Sequence, residues 1–328
     1  MSSIVFYNRD FTGTISLDAD IDIERYSFHM LGGPDTATLR VHFLAEKWEM
    51  TKLLRCPVEI YGADGGIKWW GYVNRVTIPH RKIRVGLGLD ELFNSVSIKY
   101  SGGTTSANVD TQSTTEYGTK EFLINLGNAG QTDAENYRNT YSANHKYAVP
   151  EIDLSGNEDE IIVECYGWWK TLEWKYYSNA SETAVENTTQ ISAIITACGQ
   201  FIAGTIIETT SGLTTVPTRD GTNTGLAYIT ELLSAGTSNA RPLLAYVDKN
   251  RYIHVYERIA ETTEYIMRDD GQLETLLGKL VEPESCIHAA WVRVKGVPDT
   301  LGGISAMRPF FIERAEYIER DQGSYENF

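Results

Sequence analysis

Basic residues are the first shortage: 29 Lys and Arg stand against 44 Asp and Glu in 328 residues, a formal net charge of −15. Gripping nucleic acid through its phosphates needs clustered Lys and Arg, so that class of function is excluded. The same charge would let DNA slide along a carboxylate-lined passage without adhering, and plain solubility is the alternative account of an acidic surface. Cysteine is scarce too. The four present, Cys56, Cys165, Cys198 and Cys286, stand far apart with no CxxC spacing, which argues against a zinc site or a compact disulfide framework and predicts free, mostly buried thiols. No run of ~18 consecutive apolar residues occurs, and Met1-Ser2-Ser3 leads straight into IVFYN without a basic and then apolar signal region. The expectation is a chain made in a cytoplasm, with no signal peptide and no membrane insertion.

Local catalytic signatures are missing as well. GQLETLLGK at 271 to 279 contains a Gly-Lys, but its spacing is wrong for a phosphate loop and Leu280 stands where Ser or Thr should hold magnesium. There is no GxSxG, HExxH or GxGxxG. The histidines, His29, His42, His80, His145, His254 and His288, are scattered singly, and His42 and His254 fall inside alternating strands, where a solvent-facing or hydrogen-bonded ring is the favoured reading. The paired carboxylates of a glycosidase meet only in the fold, so no pair is named from the sequence. Asp18, Asp20 and Asp22 alternate like the start of a calcium loop, but Ile23 replaces the glycine of the sixth place and His29 the bidentate Glu. On a strand these aspartates share one face and repel, which predicts a solvated edge or a lumen-facing stripe. DLSGNEDE at 153 to 160 is read as a hydrated turn. No cofactor or metal is expected.

Aromatic residues are abundant: 19 Tyr and 7 Trp, with a hydrophobic fraction of 42%, predict a folded, strand-rich chain. At ~100–200 residues per domain, the length suits two domains plus an insertion, hence about two cores. From Ile4 to Leu89 the pattern alternates through IVFYN, FTGTISLDADIDIERYSFHM, ATLRVHF and KIRVGLGL, with an LGGP turn at 31 to 34 and one helical patch, AEKWEMTKLL, at 45 to 54. VEIYGADGGIKWWGYVNRVTI at 58 to 78 reads as a hairpin. Val58, Ile60, Ile67, Trp69 and Val73 form its apolar face, and Gly71 marks a bulge or a corner where a sheet curls. Adjacent strand residues point to opposite faces. One ring of each pair, Trp69-Trp70 and Trp168-Trp169, is therefore expected in the core and the other on an outer surface, buried against another domain or subunit in preference to stacking on a ligand.

The Ser, Thr, Gly and Asn of residues 101 to 120 predict a long loop. DAENYRNTYSANHKY is a helix candidate through Ala134, Tyr137 and Tyr141, stopped by Pro150. DEIIVECYGWWKTLEWKYY returns to strand character. ISAIITACGQFIAG, with Gly204 as a possible stop, and TGLAYITELLSAG are amphipathic helices, followed by the hairpin PLLAYVDKNRYIHVYER and further strands in EYIMRDDG, AWVRVKGV and PFFIERAEYIE. The fold class expected is mainly β with α (α+β): two small split β-barrels, an α/β insertion and short helices. Residues 1–100 form the first barrel, 101–160 the insertion, 161–180 a strand returning to the first barrel, 181–260 a helix-helix-hairpin unit and 261–328 strands completing the second domain.

The order of these pieces resembles the phage tail-tip hub proteins, the family that includes the T-even-type baseplate hub. Three places carry the likeness: the hairpin with Trp70-Gly71; ELFNSVSIKY followed by STTEYGTKEF, with Asn94, Tyr100, Ser113, Tyr117 and Gly118; and VECYGWWKTLEWKYY, two helices, then LLAYVDKNRYIHVYER. The loop at 101 to 120 and the tail after Phe311 match nothing assigned in that pattern. The resemblance implies a non-enzymatic homotrimer in the virion, assembled in the host cytoplasm, whose six small barrels mate a threefold tip with a sixfold tail tube. It also implies neighbours: a tail-tube or distal tail protein, a tape-measure protein and tip or fibre proteins. The rival readings are a glycan- or receptor-binding tail-tip module that uses exposed tryptophans and residues 101 to 120, and a tail-associated cell-wall hydrolase with a carboxylate pair.

Overall fold

A strand needs alternate side chains to fill a half-buried pleat, and the first part of the chain supplies that pattern repeatedly. The computed structural model describes residues 3–17, 19–42, 47–62, 65–80, 83–154 and 160–257. Strands β1 (Ser3–Tyr7), β2 (Thr14–Ile15), β3 (Asp20–His29), β4 (Gly33–His42), β5 (Pro57–Tyr61), β6 (Ile67–His80) and β7 (Ile83–Gly88) come first, interrupted by a 3-10 helix, Lys47–Leu53. Next are β8 (Ser95–Tyr100), β9 (Gly103–Thr104), β10 (Asn108–Val109), α1 (Thr111–Tyr117), β11 (Glu121–Asn125), α2 (Gln131–His145), β12 (Pro150–Asp153) and β13 (Ile161–Tyr166). A second 3-10 helix, Trp168–Glu173, leads into β14 (Tyr176–Asn179), β15 (Val185–Glu186), α3 (Asn187–Cys198), β16 (Gly204–Ile207), β17 (Thr214–Thr215) and β18 (Arg219–Thr224). Helix α4 (Gly225–Ser234) and the hairpin β19 (Leu243–Val247) and β20 (Tyr252–Glu257) follow. The protein is mainly β with helices, an α+β chain.

Nine strands make the main sheet, in the order β2-β1-β5-β6-β13-β4-β3, with β7 and then β12 added along β6. Every pairing in it is antiparallel. Among the described residues this path has borders at β2, β3 and β12 and does not close on itself. The fourteen-residue β6 is its spine: its first half pairs with β5, its second half with β7, and β13 lies along its other side. A smaller sheet joins β10, β8 and β11, with β9 on β8, and α2 packs on it. The last sheet, β16-β20-β19, holds the closing hairpin.

One apolar cluster runs through both halves, from Phe6 and Val58 through Trp168 and Trp174 to Ile191, Ile229 and Val255. Val96, Ile98 and Ala134 form a satellite under α2. The 3-10 helix Trp168–Glu173 is the joint of the large cluster, with Trp168, Trp169, Thr171 and Leu172 all buried.

Several expectations change in detail. Within AEKWEMTKLL, Lys47–Leu53 is a 3-10 helix with Met50 and Leu53 inward. Residues 101 to 120 are not a bare loop. They contain β9, β10 and α1, whose start is capped by the Asp110 carboxylate accepting from the Ser113 N–H. Helix α3 stops at Gly199, five residues before Gly204, where the backbone leaves the helical region at φ −84° and ψ 58° after a last N–H bond to the Ile195 carbonyl. Helix α4 buries Tyr228, Ile229, Leu232 and Leu233 as its period requires. The strands expected beyond residue 260, with Cys286, His288 and residues 261–328 generally, lie outside the described residues, as do Asp18 and residues 155–159 of the hydrated turn.

Candidate functional site

The tryptophan hairpin is built by close approach. Trp69 is fully buried and its indole N–H donates to the Ser27 carbonyl at 3.2 Å, tying β6 to β3. Trp70 is half-buried; its N–H donates to the Val247 carbonyl at 3.1 Å, and Phe28 meets its ring edge-on at 6.0 Å. It is therefore covered in part by the closing hairpin of its own chain. Gly71 does not mark a bulge. The register shifts lie between Ile60 and Tyr61 and between Glu164 and Cys165. What Gly71 permits is proximity: a Cβ there would sit 2.2 Å from the Tyr166 carbonyl oxygen and 2.5 Å from Trp69 Cη2.

The second pair departs from the expectation. Trp168 and Trp169 lie on a 3-10 helix, where strand alternation does not apply, and both are buried, at 3% and 6% exposure. Trp168 packs on Phe11 and Tyr72 at ring distances of 5.5 and 5.3 Å. Neither ring offers a surface to a ligand.

The Asn94 and Tyr117-Gly118 motifs converge into a clasp. Buried Asn94 donates to Ser113 Oγ at 3.1 Å and to the Gly118 carbonyl at 2.8 Å, and accepts from the Lys120 N–H at 2.8 Å. Gly118 ends α1 at a φ of 86°, and Tyr117 lies under the Arg9 guanidinium at 4.6 Å. The motif fixes where residues 111 to 120 sit against the main sheet.

Border strand β3 has two characters. Asp20, Asp22 and Glu24 occupy alternate positions at its start, where Asp22 faces His42 Nε2 at 3.1 Å and Glu24 faces Arg40 at 3.1 Å. Glu160 joins from beside β13, 2.8 Å from Arg40 and 3.2 Å from His42 Nδ1. The acidic stripe is thus partly answered by the Arg40 guanidinium and the His42 ring on β4. Further along, Tyr26, Phe28 and Met30 are 44%, 52% and 48% exposed, an apolar run on a strand that pairs only with β4 among the described residues. The opposite border carries a second pair, Ile152 and Leu154, at 65% and 78% exposure.

Two clefts accompany these rims. One, of about 800 Å³, has Arg9, Arg55, Lys52 and Glu116 in its walls. Arg55 is 4% exposed and lies 4.7 Å over the Phe201 ring, and burial, helped by the neighbouring Arg9 and Arg251 charges, pushes it down to about 10. The other, of about 660 Å³, is walled by β6, β11, β13, the Trp168–Glu173 helix and α4. Tyr72, Phe93, Phe122 and Trp174 give it aromatic surface, and Lys120, Asp90 and Glu173 give it charge. Burial holds the Lys120 amine down to about 8, although Asp90 and Glu173 oppose the shift. Sequence reading missed this cleft because its residues come from five separate stretches between Tyr72 and Thr230 and share no local spacing.

Cys56, Cys165 and Cys198 are free and buried, and burial raises all three thiols, Cys198 to about 11. His254 is held between Glu208 at 2.6 Å and Asp248 at 3.4 Å and stacks on Tyr246 at 4.8 Å. Among the described residues no group of three or more His, Cys, Asp or Glu is placed to hold a metal ion, and no helix is long and apolar enough to cross a membrane. No protein-family model and no curated protein matches the chain.

Proposed function

We propose that this chain is a structural hub at the distal end of a phage tail. In this reading it is a homotrimeric ring that joins the sixfold tail tube to the tip and gives DNA a passage without specific binding. The observation that carries the proposal is the main sheet, which among the described residues does not close on itself. Its border β3 exposes Tyr26 and Phe28, with Met30 just beyond it, and its far border β12 exposes Ile152, with Leu154 just beyond it. An unpaired apolar strand edge is a hazard in a monomer and a docking line in an assembly. Two different apolar borders on one sheet favour head-to-tail contact, and a head-to-tail contact that rotates closes into a ring. Curling of the sheet into a barrel is then completed by a sister copy's strand. The chain's net charge of −15 suits a lumen past which a polyanion moves. The rival glycan platform has less support, since Trp169 is buried and the Trp70 N–H is already bonded.

The test is the mass in solution of the purified full chain together with its image by electron microscopy. A species three times the 36.8 kDa chain mass, seen as a threefold ring, is the expected result. Replacing Phe28 by Lys should split it into folded monomers. A chain that stays monomeric at every concentration, alone and with its tail partners, overturns the proposal.

A further inference from the structure

We propose that Lys120 is a carbonyl-reactive amine, and that the cleft around it takes a small aromatic aldehyde or ketone that condenses with Nζ to an imine. The argument begins with how the amine is held. Lys120 Nζ donates to the backbone carbonyls of Leu89 and Asp90, the latter at 3.0 Å. A neutral amine has two N–H donors and one lone pair, whereas an ammonium has three donors. The two carbonyls satisfy both donors of the neutral form and leave one position of the nitrogen over. In the ammonium that position is a third N–H, and the cleft wall offers the charge two π faces, the Phe93 ring centre at 5.1 Å and the Trp174 ring centre at 5.5 Å. In the amine it is an electron pair. The site therefore holds both forms without an orphan donor, which is what a lysine nucleophile requires.

The surroundings set which form prevails and what can approach. Burial favours the neutral amine, and the charges of Asp90 and Glu173 favour the ammonium. The balance lies at about 8. Tyr72, Tyr166, Tyr176, Lys170 and Glu121 are the other titratable groups of the walls. A volume of about 660 Å³ accommodates one small ligand. Phe93 and Phe122 are stacked with centres 4.3 Å apart and line the cleft, so a flat apolar ring finds a matching surface. With carboxylates in the walls, a neutral carbonyl compound enters more readily than an anionic one.

The chemistry closes without an outside reagent. The Nζ lone pair forms a bond to the carbonyl carbon, and the carbonyl π pair moves to oxygen, which takes up a proton. The nitrogen releases a proton to solvent or to a wall carboxylate. The hydroxyl takes up a second proton from solvent and leaves as water while the nitrogen pair forms the C=N bond, and the iminium so formed returns a proton to solvent to give the imine. One amine and one aldehyde give one imine and one water, with nothing oxidised or reduced.

Benzaldehyde with cyanoborohydride as the trapping reductant, at low conversion on the folded full chain, tests this by peptide mass spectrometry. At pH 7.5 an amine with a pKa of about 8 is neutral in roughly a hundredfold greater fraction than an ordinary lysine at ~10.4. Its lower intrinsic nucleophilicity takes back part of that gain. The expected result is labelling of Lys120 at least tenfold faster than of Lys52, whose side chain is 72% exposed, with a rate that levels off above about pH 8. Lys120→Arg keeps the charge and donors and should abolish the label at that peptide without lowering the melting temperature appreciably. Labelling of Lys120 no faster than of Lys52, or a rate still climbing at pH 10, overturns the proposal and leaves the side chain a strap between the Leu89-Asp90 carbonyls and β11.

Discussion

Replacing Gly71 by Ala adds a single methyl group at the most crowded point of the main sheet. Its Cβ would stand 2.2 Å from the Tyr166 carbonyl oxygen, 2.5 Å from Trp69 Cη2 and 2.9 Å from the Tyr166 carbonyl carbon. Two of those neighbours are backbone atoms of β13, so no rotamer change relieves the clash. Contact distances of ~3.5 Å require β13 to move away from β6 by about 1 Å, or the Trp69 ring to leave its site. Overpacking of this kind costs about 1–3 kcal/mol, and each ladder hydrogen bond weakened between β6 and β13 adds about 1 kcal/mol. The expected loss is about 2–5 kcal/mol. In urea, with an m-value of about 3 kcal/mol per molar, the midpoint should fall by roughly 1 M. Gly88→Ala is the control. It too is a strand glycine beside β6, but its Cβ meets nothing nearer than Arg75 Cγ at 3.5 Å, so its stability should stay within about 0.5 kcal/mol of the parent. Equal midpoints for the two variants would refute the claim that Gly71 is there for close approach.

Trp169→Ala should cost about 3–5 kcal/mol and destabilise the whole described unit, because the ring is buried at the joint between the sheet and the hairpin β19–β20 and rests against Gly32; Trp70→Ala, half-buried with one hydrogen bond to Val247, should cost clearly less in the same melt. Tyr26→Lys with Phe28→Lys should abolish self-association by sedimentation while leaving the circular-dichroism spectrum of a folded chain, with only the modest loss of melting temperature expected from the Phe28 contact with Trp70. Glu186 is pushed up by burial but pulled down more strongly by hydrogen bonds from Ser211, Thr188 and the Thr189 N–H, which leaves it at about 2. A depressed carboxyl stabilises the fold above its unfolded pKa of ~4.3 and loses that contribution as pH falls toward 2, so Glu186→Gln should lower stability at pH 7 by about 1–2 kcal/mol after solvent screening, with the gap closing by pH 2 in pH-dependent melts.

What could be read from the sequence was whatever depends on near neighbours. The hairpin of β5 and β6 follows from alternation, and of its expected apolar face Val58, Ile60, Trp69 and Val73 are buried while Ile67, at the start of β6, is half-buried. Helix α4 and the hairpin at Asp248 follow for the same reason. The failures share a physical cause. Trp168-Trp169 was assigned two faces because a strand period was carried past Gly167, where the backbone tightens into a 3-10 turn. Helix α1 was hidden because its residues, TQSTTEY, are polar and its stability comes from a cap and tertiary contacts, including Ser113 Oγ on the Lys146 carbonyl. The Lys120 cleft was invisible because desolvation is a property of packing, and no local spacing encodes it.

The two borders and the cleft make independent demands on the chain, and this separates the proposals built on them. Assembly through β3 needs only that Tyr26, Phe28 and Met30 find a partner strand, and nothing on that strand lines the Lys120 cleft. Amine chemistry needs only that β6, β11, β13 and α4 keep their present packing, which one apolar cluster secures for every wall except the insertion. The insertion is held separately, by Asn94 clasping Ser113, Gly118 and Lys120, so a change at Asn94 should loosen β11 and expose the Lys120 amine while leaving the β3 border intact. Asn94→Ala is therefore expected to raise the Lys120 pKa toward that of an ordinary lysine, and so to slow its labelling by aldehyde at pH 7.5, without altering the oligomeric state. If instead that substitution dissolves the assembly, the clasp and the border are one mechanical unit, and the cleft has to be understood as part of the subunit contact.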